Sequence, residues 1–184
     1  RRRRRRVAAG VAIGALAGGR IETTGELTAA RAWSTMKVPV AVAAIDAGVA
    51  AWEDVEAAIT RSDNDAALRL WESLQGDRAA TVEEILRRAG DHVTVVERAP
   101  DPRGWSPFGR TVWSLEAAVG FYRALANGEL LPAAGTERIL ELMGSVVAEQ
   151  RWGLGAIDGA RFKGGWGPCE PPAGGYEVIQ VGIV

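Results

Sequence analysis

Cysteine and histidine occur once each in this 184-residue sequence, and lysine only twice. The single cysteine, Cys169, excludes an internal disulfide. As a nucleophile it has no accompanying base. The lone histidine, His92, would have to serve any Ser-His-Asp triad, and no serine motif neighbours Asp91-His92. No cluster has metal-ligand spacing and no glycine loop is shaped for phosphate, so the sequence calls for no metal and no cofactor. The apolar run at 7–17 is too short to span a membrane. After the six arginines at 1–6 it imitates the basic-then-apolar layout of a signal peptide. The C-terminal strands need sheet partners, however, so 7–17 reads as a buried strand of small residues.

Charge is nearly balanced only on paper. The net charge is −1. With the +6 of the arginines at 1–6 set aside, it becomes −7 for the rest of the chain. A body that acidic argues against nucleic acid as a partner. The arginine run reads either as a disordered or non-native leader or as a basic arm. The length allows one domain with a sizeable core.

The shortage of lysine is informative. Twenty arginines carry the routine positive charge, and the two lysines are Lys37 and Lys163. Arginine keeps its proton at any workable pH, whereas a buried lysine can shed one. Lys37 follows Ser34 by three residues, in Ser34-Thr35-Met36-Lys37. On a helix this spacing brings both side chains to one face. A serine hydroxyl needs a neighbouring base before it attacks, and an amine of lowered pKa can be that base.

Periodicity and punctuation give the remaining elements. Residues 7–17 and 20–26 read as a hairpin turned at Gly18-Gly19. A helix runs from Ser34 to about Asp46, with Gly48 beyond its end and almost no polar face, so it belongs at the centre of the molecule. Helices are expected at 52–59, 66–74, 114–126 and 136–143. Another is expected behind a capping box, Thr81-Val82-Glu83-Glu84. Residues 92–96 read as strand or extended loop, and 100–109 as loop. Short strand-like runs follow at 154–157, 160–163 and 176–184. Strands at both ends and helices between them predict an α+β fold. Its antiparallel sheet is built from both termini (7–30 and 150–184) and flanked by helices, with a helical lobe at 31–149.

Three clusters carry the chemistry: Ser34-Thr35-Met36-Lys37, Ser62-Asp63-Asn64 and Lys163-Gly164-Gly165. Their order and setting resemble the penicillin-recognising serine hydrolases, the serine β-lactamases of class A and the D-alanyl-D-alanine peptidases, which share a Ser-x-x-Lys, Ser-Asp-Asn and Lys-Thr-Gly trio. The resemblance covers essentially the whole chain. It implies that Ser34 attacks an amide or β-lactam carbonyl and becomes acylated, that Lys37 accepts or relays the proton, and that Ser62 carries it to the leaving nitrogen. Asn64 would donate to the substrate or to Lys37. Lys163 would hold the substrate carboxylate and lower the pKa of Lys37. The backbone amides of Ser34 and Trp166 would form the oxyanion hole, and Gly165, with Gly164, would leave room for a ligand along the strand. The implied partner is a small molecule or peptide bearing a carbonyl and a carboxylate, outside the cytoplasmic membrane.

Each residue also has a plainer reading. Ser34 caps its helix, Lys37 pairs with Asp65, Ser62 or Asp63 caps the next helix, Lys163 is a solvated strand-end charge, and Trp166 is wall. The chain also departs from the family pattern. Gly164 stands where a hydroxyl residue is usual. The Glu-x-x-Leu-Asn loop that activates the deacylating water is replaced by Glu97-Arg98-Ala99-Pro100-Asp101. The family's final strand and helix are expected to be missing. These departures point to slow deacylation. They leave a non-catalytic binding protein or a Ser-Lys esterase as alternatives.

Overall fold

The computed structural model describes residues 7–169 and 174–184. The expected leader at 1–6 lies outside them. Three short strands open the described chain: β1 (Gly10–Ile13), β2 (Glu22–Gly25) and β3 (Ala29–Arg31). A 3-10 turn, Trp33–Met36, runs straight into α1 (Lys37–Asp46). Then come α2 (Trp52–Thr60), α3 (Asn64–Ser73), α4 (Arg78–Arg88), the single turn α5 (Pro107–Arg110), β4 (Val112–Ser114), α6 (Leu115–Ala126) and α7 (Ala133–Gly144). The hairpin β5 (Arg161–Pro168) and β6 (Tyr176–Ile183) follows. The fold is thus α+β, with antiparallel strands at both ends and helices between them. Hydrogen bonding divides the described strands into three two-stranded pairs, β1–β2, β3–β4 and β5–β6, where one continuous sheet was expected.

Helix α1 is the centre of the core. Its residues from Lys37 to Ala44 are all buried, as a helix without a polar face must be. Helices α2, α3 and α4 pack around it. Capping is local and follows composition. Asp63 accepts from Ala66 N at 2.8 Å to start α3, and Ser114 accepts from Ala117 N at 3.0 Å to start α6.

Several local expectations change. The strand at 7–17 shortens to β1, and its Val11 and Ile13 are exposed rather than buried. The Thr81 capping box lies inside α4, because Asp77 accepts from Ala79 N and Ala80 N and starts the helix one turn earlier. The apolar run at 154–157 is not a strand; Gly153–Ala156 forms a 3-10 turn. Residues 92–96 form no strand and bend at Val93. The buried Asp91 carboxylate fixes them by accepting from Val93 N and Thr94 N.

Candidate active site

The nucleophile's turn is held in a costly shape. Trp33 has φ +46° and Ser62 φ +58°, and they are the two non-glycine residues with positive φ among those described. Each such backbone costs about 1–3 kcal/mol unless the surroundings hold it. Both border the same cavity. Trp33 is held by β5, which lies flat against the turn. A Cβ on Gly165 would meet Ser34 N at 2.7 Å and Ala32 O at 2.9 Å, and one on Gly167 would enter the Trp33 ring at 2.4 Å. The space expected beside Gly165 for a ligand is therefore filled by the turn itself. At Gly164 a Cβ would find its nearest neighbour, Trp166 Cζ3, at 3.6 Å, an ordinary contact.

A cavity of about 670 Å³ is lined by Ser34, Lys37, Ser62, Asn64 and Trp166. Five of the seven site residues read from the sequence thus share one wall. Lys163 and Gly165 are buried behind it. Trp166 is wall, 37% exposed and tilted against Trp152 at 6.2 Å between ring centroids.

Two buried lysines meet at Ser62. Lys37 Nζ donates to the carbonyl of Ser62, to the carbonyl of Asp63 at 3.2 Å and to Asn64 Oδ1 at 2.8 Å, with Ser62 Oγ at 3.4 Å. Asn64 therefore accepts from Lys37 rather than donating to it, because an ammonium has nothing to accept with. No hydrogen bond joins Lys37 Nζ to Ser34 Oγ or to Asp65 among the described residues. Lys163 Nζ lies 2.8 Å from Ser62 Oγ and 2.9 Å from Gly164 O. It is fully buried and does not line this cavity. Among the lining residues Arg61 carries the exposed cation.

Burial lowers the Lys37 amine to about 8, against an opposing pull from the Asp63 carboxylate. Burial and the neighbouring charge of Lys37 lower the Lys163 amine further, to about 7. The like-charge penalty thus falls on Lys163, where the expectation had placed it on Lys37.

Glu97 does not line this cavity; its Oε1 accepts from Arg98 N and Ala99 N at 2.8 Å, and Arg110 stands 3.6 Å from its other oxygen. Those bonds hold Glu97 below its usual range. Asp101 does line it and was missed. Ion pairs to Arg103 at 2.8 Å and Arg110 at 3.2 Å keep it far below the usual carboxylate range and make it a weak base. Trp105 and Tyr176, also missed, add aromatic wall. Among the described residues no group of His, Cys, Asp and Glu is arranged to hold a metal ion, and no helix is long and apolar enough to cross a membrane.

Comparison with known proteins identifies a family and a fold. A family model described as the beta-lactamase enzyme family matches residues 48–168, a span that includes Ser62, Asn64, Lys163, Gly165 and Trp166 but begins after Ser34 and Lys37. Among solved structures, a β-lactamase from Chitinophaga pinensis DSM 2588 is similar at TM-score 0.72 and 17% identity, over 93% of this chain and 83% of that one. An ancestral class A β-lactamase (GNCA) is similar at TM-score 0.67 and 23% identity, over 94% and 83%. The protein PBP-A is similar at 0.61 and 22%, over 94% and 77%. At these identities the likeness is one of fold. No curated protein matches the chain.

Proposed function

The chain belongs to the beta-lactamase enzyme family, and on that premise we propose that it is a serine hydrolase acylated at Ser34 by an amide or β-lactam carbonyl. The observation that carries the reading is the meeting of Ser34, Lys37, Ser62 and Asn64 on one cavity wall, with a second buried lysine behind Ser62. Ser34 Oγ attacks the carbonyl carbon, the scissile C–N bond breaks, and the nitrogen leaves with a proton delivered through Ser62. The Lys37 ammonium supplies positive potential beneath Ser62 and fixes Asn64, whose Nδ2 is left to donate to the substrate. The backbone amides of Ser34 and Trp166 serve the developing oxyanion. Release of the acyl group is slow, because Glu97 lies away from the cavity and Asp101 is bound by two arginines. The substrate is a small molecule or cell-envelope peptide met outside the cytoplasmic membrane.

Incubation with a fluorescent penicillin, followed by intact-mass measurement, tests this. The expected result is a single adduct that the Ser34→Ala variant lacks. Absence of any adduct at high reagent concentration and long times would overturn it.

One observation favours a second reading. The two groups assigned to a substrate carboxylate are a hydroxyl at 164 and Lys163; the first is absent and the second is buried. An acyl substrate without a carboxylate, such as a simple ester, suits this cavity. Turnover of nitrophenyl esters that outpaces penicillin acylation would favour it.

A further inference from the structure

We infer that Lys163, rather than Lys37, is the amine that stands unprotonated in the resting site and takes up the nucleophile's proton through the hydroxyl of Ser62. This rests on the reading of Ser34 as the acylated residue. Three of the oxygens around Lys37 Nζ (Ser62 O, Asp63 O and Asn64 Oδ1) can only accept. An ammonium has three N–H bonds to meet them. A neutral amine has two, and would turn its lone pair onto a carbonyl oxygen.

Lys163 Nζ has a different shell. It has one obligate acceptor, Gly164 O at 2.9 Å, and one group that can either donate or accept, Ser62 Oγ at 2.8 Å. A neutral amine fits this pair: one N–H goes to Gly164 O, and the lone pair accepts the Ser62 O–H. An ammonium would leave one N–H unpaired just as the neutral amine does, so this shell does not ask for a third donor, and the neutral form avoids burying a second charge beside Lys37.

The surrounding charges agree. Lys37 approaches the same Ser62 oxygen from α1. The Asp63 carboxylate, which caps α3, offsets the charge of Lys37 and is not among the groups acting on Lys163. The cross-strand partner of Lys163 on β6 is Val181, which is uncharged.

The proton path then balances. As the Ser34 oxygen bonds to the carbonyl carbon, its proton passes to Ser62 Oγ while the proton of Ser62 passes to Lys163 Nζ. When the C–N bond breaks, the new ammonium returns its proton through Ser62 to the leaving nitrogen. Lys37 stays charged throughout.

With two lysines in the chain, lysine labelled with ¹³C and ¹⁵N gives two side-chain signals, which through-bond correlation to the backbone assigns without a variant. Followed by NMR from pH 5 to 10, the Lys163 signal should titrate first, about one pH unit below that of Lys37. The rising limb of the rate of acylation by a fluorescent penicillin should follow it. Lys163→Arg puts a permanent charge at this point and cannot supply a base, and should slow acylation ~10²-fold or more. Titration of Lys37 first, or of neither lysine below pH 9, overturns the inference. If no adduct forms at any pH while Lys163 still titrates first, the fault lies in the assignment of Ser34 as nucleophile, and Lys163 loses its role as that residue's base.

Discussion

Lys163 Nζ and Ser62 Oγ lie 2.8 Å apart, a hydrogen bond that joins strand β5 to a loop 101 residues earlier in the chain. Everything proposed for the site passes through that hydroxyl. Ser62→Ala removes it and leaves Lys37 with its three carbonyl-type acceptors. The variant should fold normally and lose roughly 10²-fold or more in the rate of acylation at Ser34, the range for a positioned proton carrier. Labelling by a fluorescent penicillin measures it. An unchanged rate would show that the proton leaves by another route.

Adjacent glycines on β5 should respond in opposite ways. Gly165→Ala places a methyl 2.7 Å from Ser34 N, and backbone cannot yield cheaply. The variant should melt at lower temperature and acylate slowly, because the turn carrying the nucleophile is pushed aside. Gly164→Ser meets only ordinary contacts, the nearest at 3.6 Å, and should melt as the parent does. It also supplies a hydroxyl. If a substrate carboxylate lies at that point, the variant should acylate carboxylate-bearing penicillins faster and their methyl esters no faster. Thermal melts beside paired acylation rates separate the two effects.

The three motifs were legible because each is local. Four residues set Ser34 and Lys37, three set Ser62 to Asn64, and the scarcity of lysine marked Lys37 and Lys163. What depended on distant contacts was not legible. The burial of Lys163 and the filling of the space beside Gly165 follow from β5 lying against the Trp33 turn, a packing between ends of the chain. Asp101 sits in a loop whose prolines and glycines carry no periodicity, so nothing in its surroundings announced a place on the cavity wall. Strand β1 was read as buried from its small apolar residues, but exposure depends on what lies opposite, and there Val11 and Ile13 face out. In α4, Asp77 took the cap that Thr81 was expected to hold, because a carboxylate one turn earlier reaches two free backbone amides.

The lifetime of the acyl-enzyme should be indifferent to Glu97. Its carboxylate is spent on Arg98 N, Ala99 N and Arg110, away from the Ser34 cavity. Glu97→Gln should leave the half-life of the adduct within about twofold of the parent's, read by intact mass after removal of excess reagent. A lifetime lengthened tenfold or more would mean that Glu97 reaches the acyl group after all.

The two lysines also make stability depend on pH, with a sign opposite to that of a lysine held in an ion pair. In the folded protein Lys37 releases its proton near 8 and Lys163 near 7; once unfolded, both hold it up to the ordinary 10.5. Between those limits the unfolded chain binds more protons, so stability rises with pH. Each lysine contributes a slope approaching about 1.4 kcal/mol per pH unit above its folded value. The buried Tyr122 hydroxyl, held neutral by desolvation, works the other way once unfolded tyrosine begins to ionise near 10. The rise should therefore appear from pH 7 to about 9.5 and then flatten. Melting temperatures across that interval test it, and Lys163→Met, which keeps the buried stem without the amine, should remove about half of the slope. A melting temperature that falls from pH 7 to 9.5 in the parent would mean that both lysines are stabilised as ammonium ions.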